Sequence, residues 1–258
     1  MTKPTNHCKT LFIILHFITE QYRIRITEVD ARSQLTIPAL NGLLQEMAWR
    51  HSVVANVSVH ELIAQHNISW ILSRLKIWID RLPNYDETIT IKTYVQEVDK
   101  YFYHRDFKIF DEAGNEIIRA NSMFGLMDIV RRRLSSVPDW MRAITPTHPE
   151  ESPVQKVSGK IPIVTDAQTE KRFDIRWHDI DSNQHTNNTK YVEWLMESVP
   201  VELLNNGKMK SIDIIFKNES ILGDKIITQS QALENGFIHR ILNQNLVELV
   251  TGETVWAT

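Results

Sequence analysis

The chain repeats itself, and that repeat limits the folds open to it more than any other feature of its 258 residues. Phe173-Asp174-Ile175-Arg176-Trp177-His178-Asp179-Ile180-Asp181 lines up on Tyr22-Arg23-Ile24-Arg25-Ile26-Thr27-Glu28-Val29-Asp30. Ile, Arg and Asp recur at identical places, aromatic meets aromatic, and acid meets acid. Residues 22–30 alternate apolar and polar side chains, the pattern of a half-buried strand. An amphipathic helix and then several β-prone runs follow each copy.

In the first copy, Leu40, Leu43, Leu44, Met47, Ala48 and His51 share one helical face. Thr36 is placed to cap that helix, with Pro38 tolerated in its first turn. Gly42 interrupts it and is expected to let a sheet approach closely. Ser58-x-x-Glu61 reads as a capping box for a short second helix. Strands are expected over 68–79, 88–95, 101–110 and 117–127, with Asp111-Glu112-Ala113-Gly114-Asn115 as a hairpin turn. In the second copy Asn187 or Asn188 caps a helix carrying Tyr191, Trp194, Leu195 and Ser198 on one face. Strands are expected over 210–216, 225–233, 237–243 and 246–250, with Asn235-Gly236 as a hairpin signal. Strand, long helix and antiparallel sheet, twice over, is α+β architecture with each helix lying on a curled sheet. Between the copies, Pro138, Pro146, Pro149, Pro153 and Pro162 punctuate residues 135–168, which read as a linker partly wrapped on the surface.

A net charge of −3 gives no basic surface for nucleic acid. Cys8 is the single cysteine, which excludes an internal disulfide framework and a multi-cysteine zinc site and fits a reducing compartment. The apolar run 11–18, broken by His16, is far shorter than the roughly 20 residues of a membrane helix and lacks a small-residue cleavage site. It reads as the lead-in to a strand, and the cytoplasm is the expected location.

The chemistry concentrates in the second copy. Asp181, Asn183 and His185 stand at alternate positions, Asn187 and Asn188 follow, and a helix begins. A helix start offers free N–H groups and partial positive charge, which suits it to a developing oxyanion. Taken singly, each of these residues is as well explained by turn formation. Asp181 and His185 as metal ligands lack a second well-spaced His. The first copy has Asp30, Arg32 and Gln34 at the three positions. One active site per chain is therefore expected, in the second half, with the first half free for another task.

Asp179-Ile180-Asp181-Ser182-Asn183-Gln184-His185-Thr186-Asn187-Asn188-Thr189-Lys190-Tyr191 resembles the D-x-D-x-N-x-H-x-N-N-x-x-Y signature of the acyl-acyl carrier protein thioesterases, plant and bacterial enzymes that release fatty acids during synthesis. Phe216-Lys217-Asn218-Glu219-Ser220 is similar to that family's downstream Y-x-x-E-C segment. Tyr22-Arg23-Ile24-Arg25, Leu44-Gln45-Glu46, Arg50-His51 and Ile71-Leu72-Ser73-Arg74 also look like family segments, so the resemblance runs from about Tyr22 onward. It implies a tandem double hotdog fold: an acyl-binding domain over 1–134, the linker 135–168 and a catalytic domain over 169–258. It implies a catalytic set of Asp181, Asn183, His185 and Glu219. The implied substrate is a fatty acyl chain on acyl carrier protein, with no cofactor and no metal. No membrane or nucleic-acid partner is expected, and the internal pair weakens the need for a homodimer without removing it.

Ser220 stands where many relatives carry a Cys once given a nucleophilic role. Either Ser220 attacks the thioester, with a base such as His185 in reach, or water attacks directly with Glu219 as general base; the second is preferred. Residues 212–221 are strongly apolar, so partial burial is expected to raise the Glu219 pKa. Asn183 is expected to hold the water, His185 to donate to the oxyanion or assist the base, and Asp181 to orient Asn183 or its turn. An acyl tunnel is expected in the first half, with Met47, Trp49, Trp70, Ile71 and Trp78 as candidates, though aromatic residues at such spacings are more often plain core. Arg131-Arg132-Arg133 reads as a solvated face that can meet an acidic carrier. A coenzyme A thioesterase on the same fold, or a non-catalytic acyl-binding module, are the competing readings. The second of these predicts loss of Asn183, His185 or Glu219, and all are present.

Overall fold

The structure is a computed structural model that describes residues 17–145 and 153–257. Cys8 and nearly all of the 11–18 run lie outside the described residues. The strands are β1 (Phe17–Arg23), β2 (Ile68–Ile79), β3 (Thr88–Val98), β4 (Phe102–Phe110), β5 (Glu116–Asp128), β6 (Arg133–Ser135), β7 (Thr169–Asp174), β8 (Lys208–Phe216), β9 (Lys225–Leu233), β10 (Gly236–Asn243) and β11 (Glu248–Ala257). The helices are α1 (Ile37–Val54), α2 (Val59–His66), α3 (Asp139–Ile144), α4 (Asn188–Met196) and α5 (Val201–Asn206).

All the strands join one antiparallel sheet in the order β1-β3-β4-β5-β2-β8-β11-β10-β9-β7, with β6 paired to β5. The order is symmetric about its middle. Apart from β6, each strand of the first half has its sequence counterpart at the mirrored place in the second, so β1 answers β7 and β3 answers β9. At the centre β2 and β8 pair from Arg74↔Ile215 to Trp78↔Ser211, which makes two hotdog units into one sheet. The duplication read from the sequence is this symmetry.

The helix starts are also matched. The Thr36 hydroxyl accepts from the Ala39 amide at 3.3 Å and Asn187 Oδ1 accepts from the Thr189 amide at 2.9 Å, so each side chain satisfies a free donor at the start of its helix. The Ser58–Glu61 capping box is present at the start of α2. Helices α1 and α4 pack on each other and share a single core with both halves of the sheet: Leu40, Leu44, Leu75, Ile91, Val192, Leu195, Ile214 and Val250 all belong to it.

Several expectations are corrected. The runs 22–30 and 173–181 are strand only as far as Arg23 and Asp174; a 3-10 turn follows each, closed where Glu28 and Asp179 accept the backbone amides of Arg25 and Arg176. The second helix is shorter than the first. It ends after Met196 and resumes only at Val201, because Pro200 has no N–H to continue it. Gly42 faces Thr189 of α4, whose methyl lies 3.7 Å from where a Cβ would sit, so the neighbour is a helix and not a sheet. The close approach to the sheet occurs instead at Gly252 of β11, where a Cβ would stand 2.5 Å from a Leu195 methyl. The segment 153–164 is more than a surface wrap: Val154, Val157, Ile161 and Val164 are buried. Asp106 accepts the Val154 amide at 2.9 Å, Asn121 accepts the Val157 amide at 3.0 Å, and Arg74 donates to the Ser158 and Gly159 carbonyls.

Candidate active site

The turn 181–185 is built by its first residue. Asp181 Oδ1 accepts from the Asn183 amide at 2.8 Å and the His185 amide at 3.4 Å, while the Asp181 amide donates to the His185 carbonyl at 2.8 Å. Gln184 takes a left-handed φ of 66° to close it. The first half holds an internal control. Asp30 Oδ1 accepts from the Arg32 and Gln34 amides at 2.8 and 3.0 Å, and Ser33 takes a φ of 62°. The same turn is thus made by the same acid without the Asn and His. Asp181 is accounted for as the residue that shapes the turn, and Asn183 and His185 are what the second copy adds to it.

The turn is bolted to the segment after β8 by a buried knot of hydroxyls. The Thr186 amide donates to the Ser220 carbonyl at 2.9 Å. Ser220 Oγ lies 2.8 Å from Thr186 Oγ1 and 2.7 Å from Tyr191 Oη, and its own amide donates to Tyr191 Oη at 3.0 Å. Ser220 is 1% exposed, and its hydroxyl is hydrogen-bonded to Tyr191 and Thr186, with no hydrogen bond to His185 among the described residues. Burial pushes the Tyr191 phenol up, against the opposing pull of its hydrogen bonds. The residue next to Ser220 is Glu219, and this knot delivers its carboxylate to His185: Glu219 Oε2 stands 3.3 Å from His185 Nε2.

Glu219 is not buried. Its side chain is 41% exposed, because it lies beyond the end of β8. The burial expected from its apolar neighbours is absent, since Ile212 and Ile214 point into the core and Glu219 lies beyond the strand. Its strongest partner comes from the first half: Arg132, in a left-handed conformation at φ 50° between β5 and β6, donates to Glu219 Oε2 at 2.7 Å. The arginine run is therefore a solvated face with one member reaching across to the second half. Behind the turn, Asp179 is fully buried. Burial opposes its charge, but hydrogen bonds from Arg176 and the nearby Lys190 hold its carboxyl below the usual range.

On its other side the turn opens onto a cavity of 550 Å³. Asp181, Ser182, Asn183, Asn187, Asn188 and Thr189 line it at that end, so of the expected catalytic set Asp181 and Asn183 face the cavity and His185 and Glu219 do not line it. The rest of the wall comes from the first half, including Trp49, Trp70, Leu72, Tyr103 and Phe124. Of the tunnel residues expected from sequence, Trp49 and Trp70 line this space and Met47, Ile71 and Trp78 do not. Met47 lies 3% exposed in the α1 core, and residues next to lining positions on β2 face the other side of the sheet. Sequence reasoning did not identify Gln45, whose buried side-chain amide Nε2 has no acceptor among the described residues and faces the same cavity. It also did not identify Arg132. The only sign of Arg132 in the sequence was a charge run, which is ordinarily a solvated surface. No group of three or more candidate metal ligands occurs among the described residues.

Residues 16–145 match the acyl-ACP thioesterase N-terminal domain, and residues 164–258 match the acyl-ACP thioesterase C-terminal domain. The chain belongs to the acyl-ACP thioesterase family. The palmitoyl-acyl carrier protein thioesterase of Arabidopsis thaliana is 28% identical over 93% of this chain and 63% of its own length. The oleoyl-acyl carrier protein thioesterase of Coriandrum sativum is 28% identical over 88% of this chain and 66% of its own length. The chain thus spans about three-fifths of the length of most curated relatives it matches. Among solved structures, an acyl-ACP thioesterase from Bacteroides thetaiotaomicron superposes with a TM-score of 0.85 at 23% identity, covering 93% of this chain and 98% of the other. The 12:0-ACP thioesterase of Umbellularia californica gives 0.81 at 22% identity, covering 93% and 97%. These superpositions show the shared tandem hotdog fold. No helix among the described residues of this family member is long and apolar enough to cross a membrane.

Proposed function

We propose that the protein hydrolyses the thioester of a fatty acyl chain carried on acyl carrier protein, releasing the free fatty acid, with catalysis in the second half and chain binding in the first. The observation that carries this reading is the cavity: its wall belongs to the first half, and its end belongs to the Asp181–Asn188 turn of the second. An acyl chain lying in that space brings its carbonyl carbon to the turn at Asn183, and the thioester has to reach past the cavity's own lining to meet His185 and Glu219. The family's curated members, named as carrier-protein thioesterases, support the substrate class.

In the proposed reaction a water oxygen bonds to the carbonyl carbon while Glu219 takes the water's proton. The carbonyl oxygen becomes an oxyanion, and collapse breaks the C–S bond and returns the proton to the leaving thiol. Asn183 makes no side-chain hydrogen bond among the described residues, so its amide is available to hold the water at the cavity mouth. His185, 3.3 Å from Glu219, is placed to share the proton or to donate to the oxyanion. The free amides at the start of α4 add positive potential there. A nucleophilic role for Ser220 is disfavoured by its burial and by its two hydroxyl partners. A cytoplasmic setting goes with this reading, in keeping with a single cysteine.

The test is fatty-acid release from acyl-carrier-protein thioesters and the same acyl groups on coenzyme A, using wild type, Glu219→Ala and Ser220→Ala. Turnover of the carrier substrates is expected. Glu219→Ala is expected to lose a factor of about 100 or more, whereas Ser220→Ala keeps most of the activity. Equal loss in the two variants at unchanged folding overturns the water mechanism, and a preference for coenzyme A overturns the carrier assignment.

A further inference from the structure

The cavity contains a charge that a plain hydrocarbon chain gives no reason for. Arg105 of β4 lines it, yet Arg105 is among the buried residues, and burial pulls its guanidinium down to about 10. The group remains a cation at neutral pH. A buried cation is ordinarily paired with a carboxylate, because leaving it unpaired carries the full desolvation penalty. Among the described residues no carboxylate lies within ion-pair distance of Arg105. The acid next to it is Asp106, but successive residues of a strand face opposite sides. Asp106 is committed on the far side, where it accepts from Asn121 at 2.6 Å and from the Val154 amide at 2.9 Å.

What Arg105 does hold is neutral. Its Nη1 donates to His51 Nδ1 at 2.9 Å and to Thr93 Oγ1 at 3.1 Å. A guanidinium has five N–H groups and can only donate, so His51 Nδ1 must be the acceptor and the imidazole is neutral with its hydrogen on Nε2. Two donors are used at Nη1; Nε and Nη2 have no partner among the described residues. His51 also lines the cavity. It lies nine residues along α1 from Gly42, which marks the end of the cavity next to the catalytic turn, or roughly 13 Å at the helical rise. The cation therefore sits well inside the space proposed for the acyl chain and away from the place proposed for the thioester.

We propose that Arg105, held by His51 and Thr93, forms a polar subsite for an acyl chain that carries a hydrogen-bond-accepting oxygen (hydroxyl, oxo or carboxylate) far from its thioester. A methyl-terminated chain that reaches Arg105 strips water from unpaired N–H groups and returns nothing. A chain that ends short of it leaves them hydrated. A chain with an oxygen at that depth replaces the lost water with a charge-assisted hydrogen bond. The subsite thus discriminates by what a chain carries at a given length. The inference rests on the reading of this cavity as the acyl site.

The experiment uses the whole chain and two parallel series, from octanoyl to hexadecanoyl, with methyl-terminated, ω-hydroxy and ω-carboxy forms at each length. One series is of carrier-protein thioesters read by acid release. The other is of pantetheine amides, which have no cleavable thioester and no free fatty-acid carboxylate, read by calorimetric binding. At the length that reaches Arg105, the oxygenated form is expected to exceed the methyl form by about tenfold or more in kcat/KM and in affinity. Arg105→Met is expected to reverse that order, and Arg105→Lys to keep part of it. The decisive comparison is made on the wild type, so a variant that fails to fold leaves the test intact. Methyl-terminated chains equal to or better than oxygenated ones at every length overturn the subsite. Binding that discriminates as expected without any thioester release overturns the hydrolase reading and leaves the subsite standing.

Discussion

The residues that repay attention are those whose neighbours changed their meaning. Asp181 belongs to a signature, but Asp30 makes the same turn with the same bonds in a copy that has no His, so shape explains it. Ser220 occupies the place of a supposed nucleophile, and its burial beneath Tyr191 and Thr186 makes it a fastener for Glu219. His239 is a buried histidine outside the site. It is 0% exposed, with Ser198 Oγ 3.0 Å from Nδ1 and Thr254 Oγ1 3.0 Å from Nε2, and desolvation pulls its pKa down to about 3. An unfolded chain protonates this residue near pH 6.5, so between there and about pH 3 the unfolded state holds one more proton than the native state. Stability is therefore full above pH 6.5 and falls as the pH drops through that window, with a slope of about 1.4 kcal/mol per pH unit from this residue alone. Urea midpoints measured from pH 7 to 4 are expected to fall less steeply for His239→Gln than for wild type; an identical slope refutes the assignment.

At the scale of elements, the seam between β2 and β8 carries the heaviest single commitment. Arg74 of β2 makes a two-pronged pair with Asp213 of β8, both bonds at 2.9 Å, and Lys76 approaches the same carboxylate at 3.4 Å. Asp213 is 3% exposed. Arg74 also holds the Ser158 and Gly159 carbonyls, so a single guanidinium joins the two halves and the segment that connects them. Removing one partner of such a pair strands the other in a poorly solvated place. Asp213→Ala is expected to lower unfolding stability by about 3 kcal/mol or more, measured in denaturant. A loss below about 1 kcal/mol shows that the pair behaves like an exposed one. The duplicate helices teach the opposite lesson. Thr36 and Asn187 are different residues at equivalent caps. Thr36 was legible outright and the second cap was narrowed to Asn187 or Asn188, because capping depends on one side-chain oxygen and its own backbone.

At the scale of the whole molecule, the sheet and the core leave no boundary at which the chain can come apart. The first and second halves share β2–β8 pairing, α1–α4 packing and one hydrophobic cluster. One cooperative unfolding transition is expected by calorimetry, with far-UV and tryptophan signals coincident. Two separated transitions would show that the halves are independent. The sequence by itself determined the duplication, the order of the main strands and long helices, the Thr36 and Ser58 caps, the hairpin turns and the one-sided distribution of Asn183 and His185. Each of these rests on periodicity or on contacts a few residues apart, which a linear reading can see. It did not show β6, α3 or α5, and it placed the last strand at 246–250 where β11 runs Glu248–Ala257. Tertiary structure alone decided the rest: that Glu219 is exposed, that it pairs with Arg132 of the other half, that Ser220 is sealed, and that the proposed acyl space is lined by a buried Arg105. The physical reason is that burial and charge pairing belong to a place in space. Arg132 and Glu219 stand 87 residues apart in the chain, and only the closing of one sheet across both halves brings them within 2.7 Å.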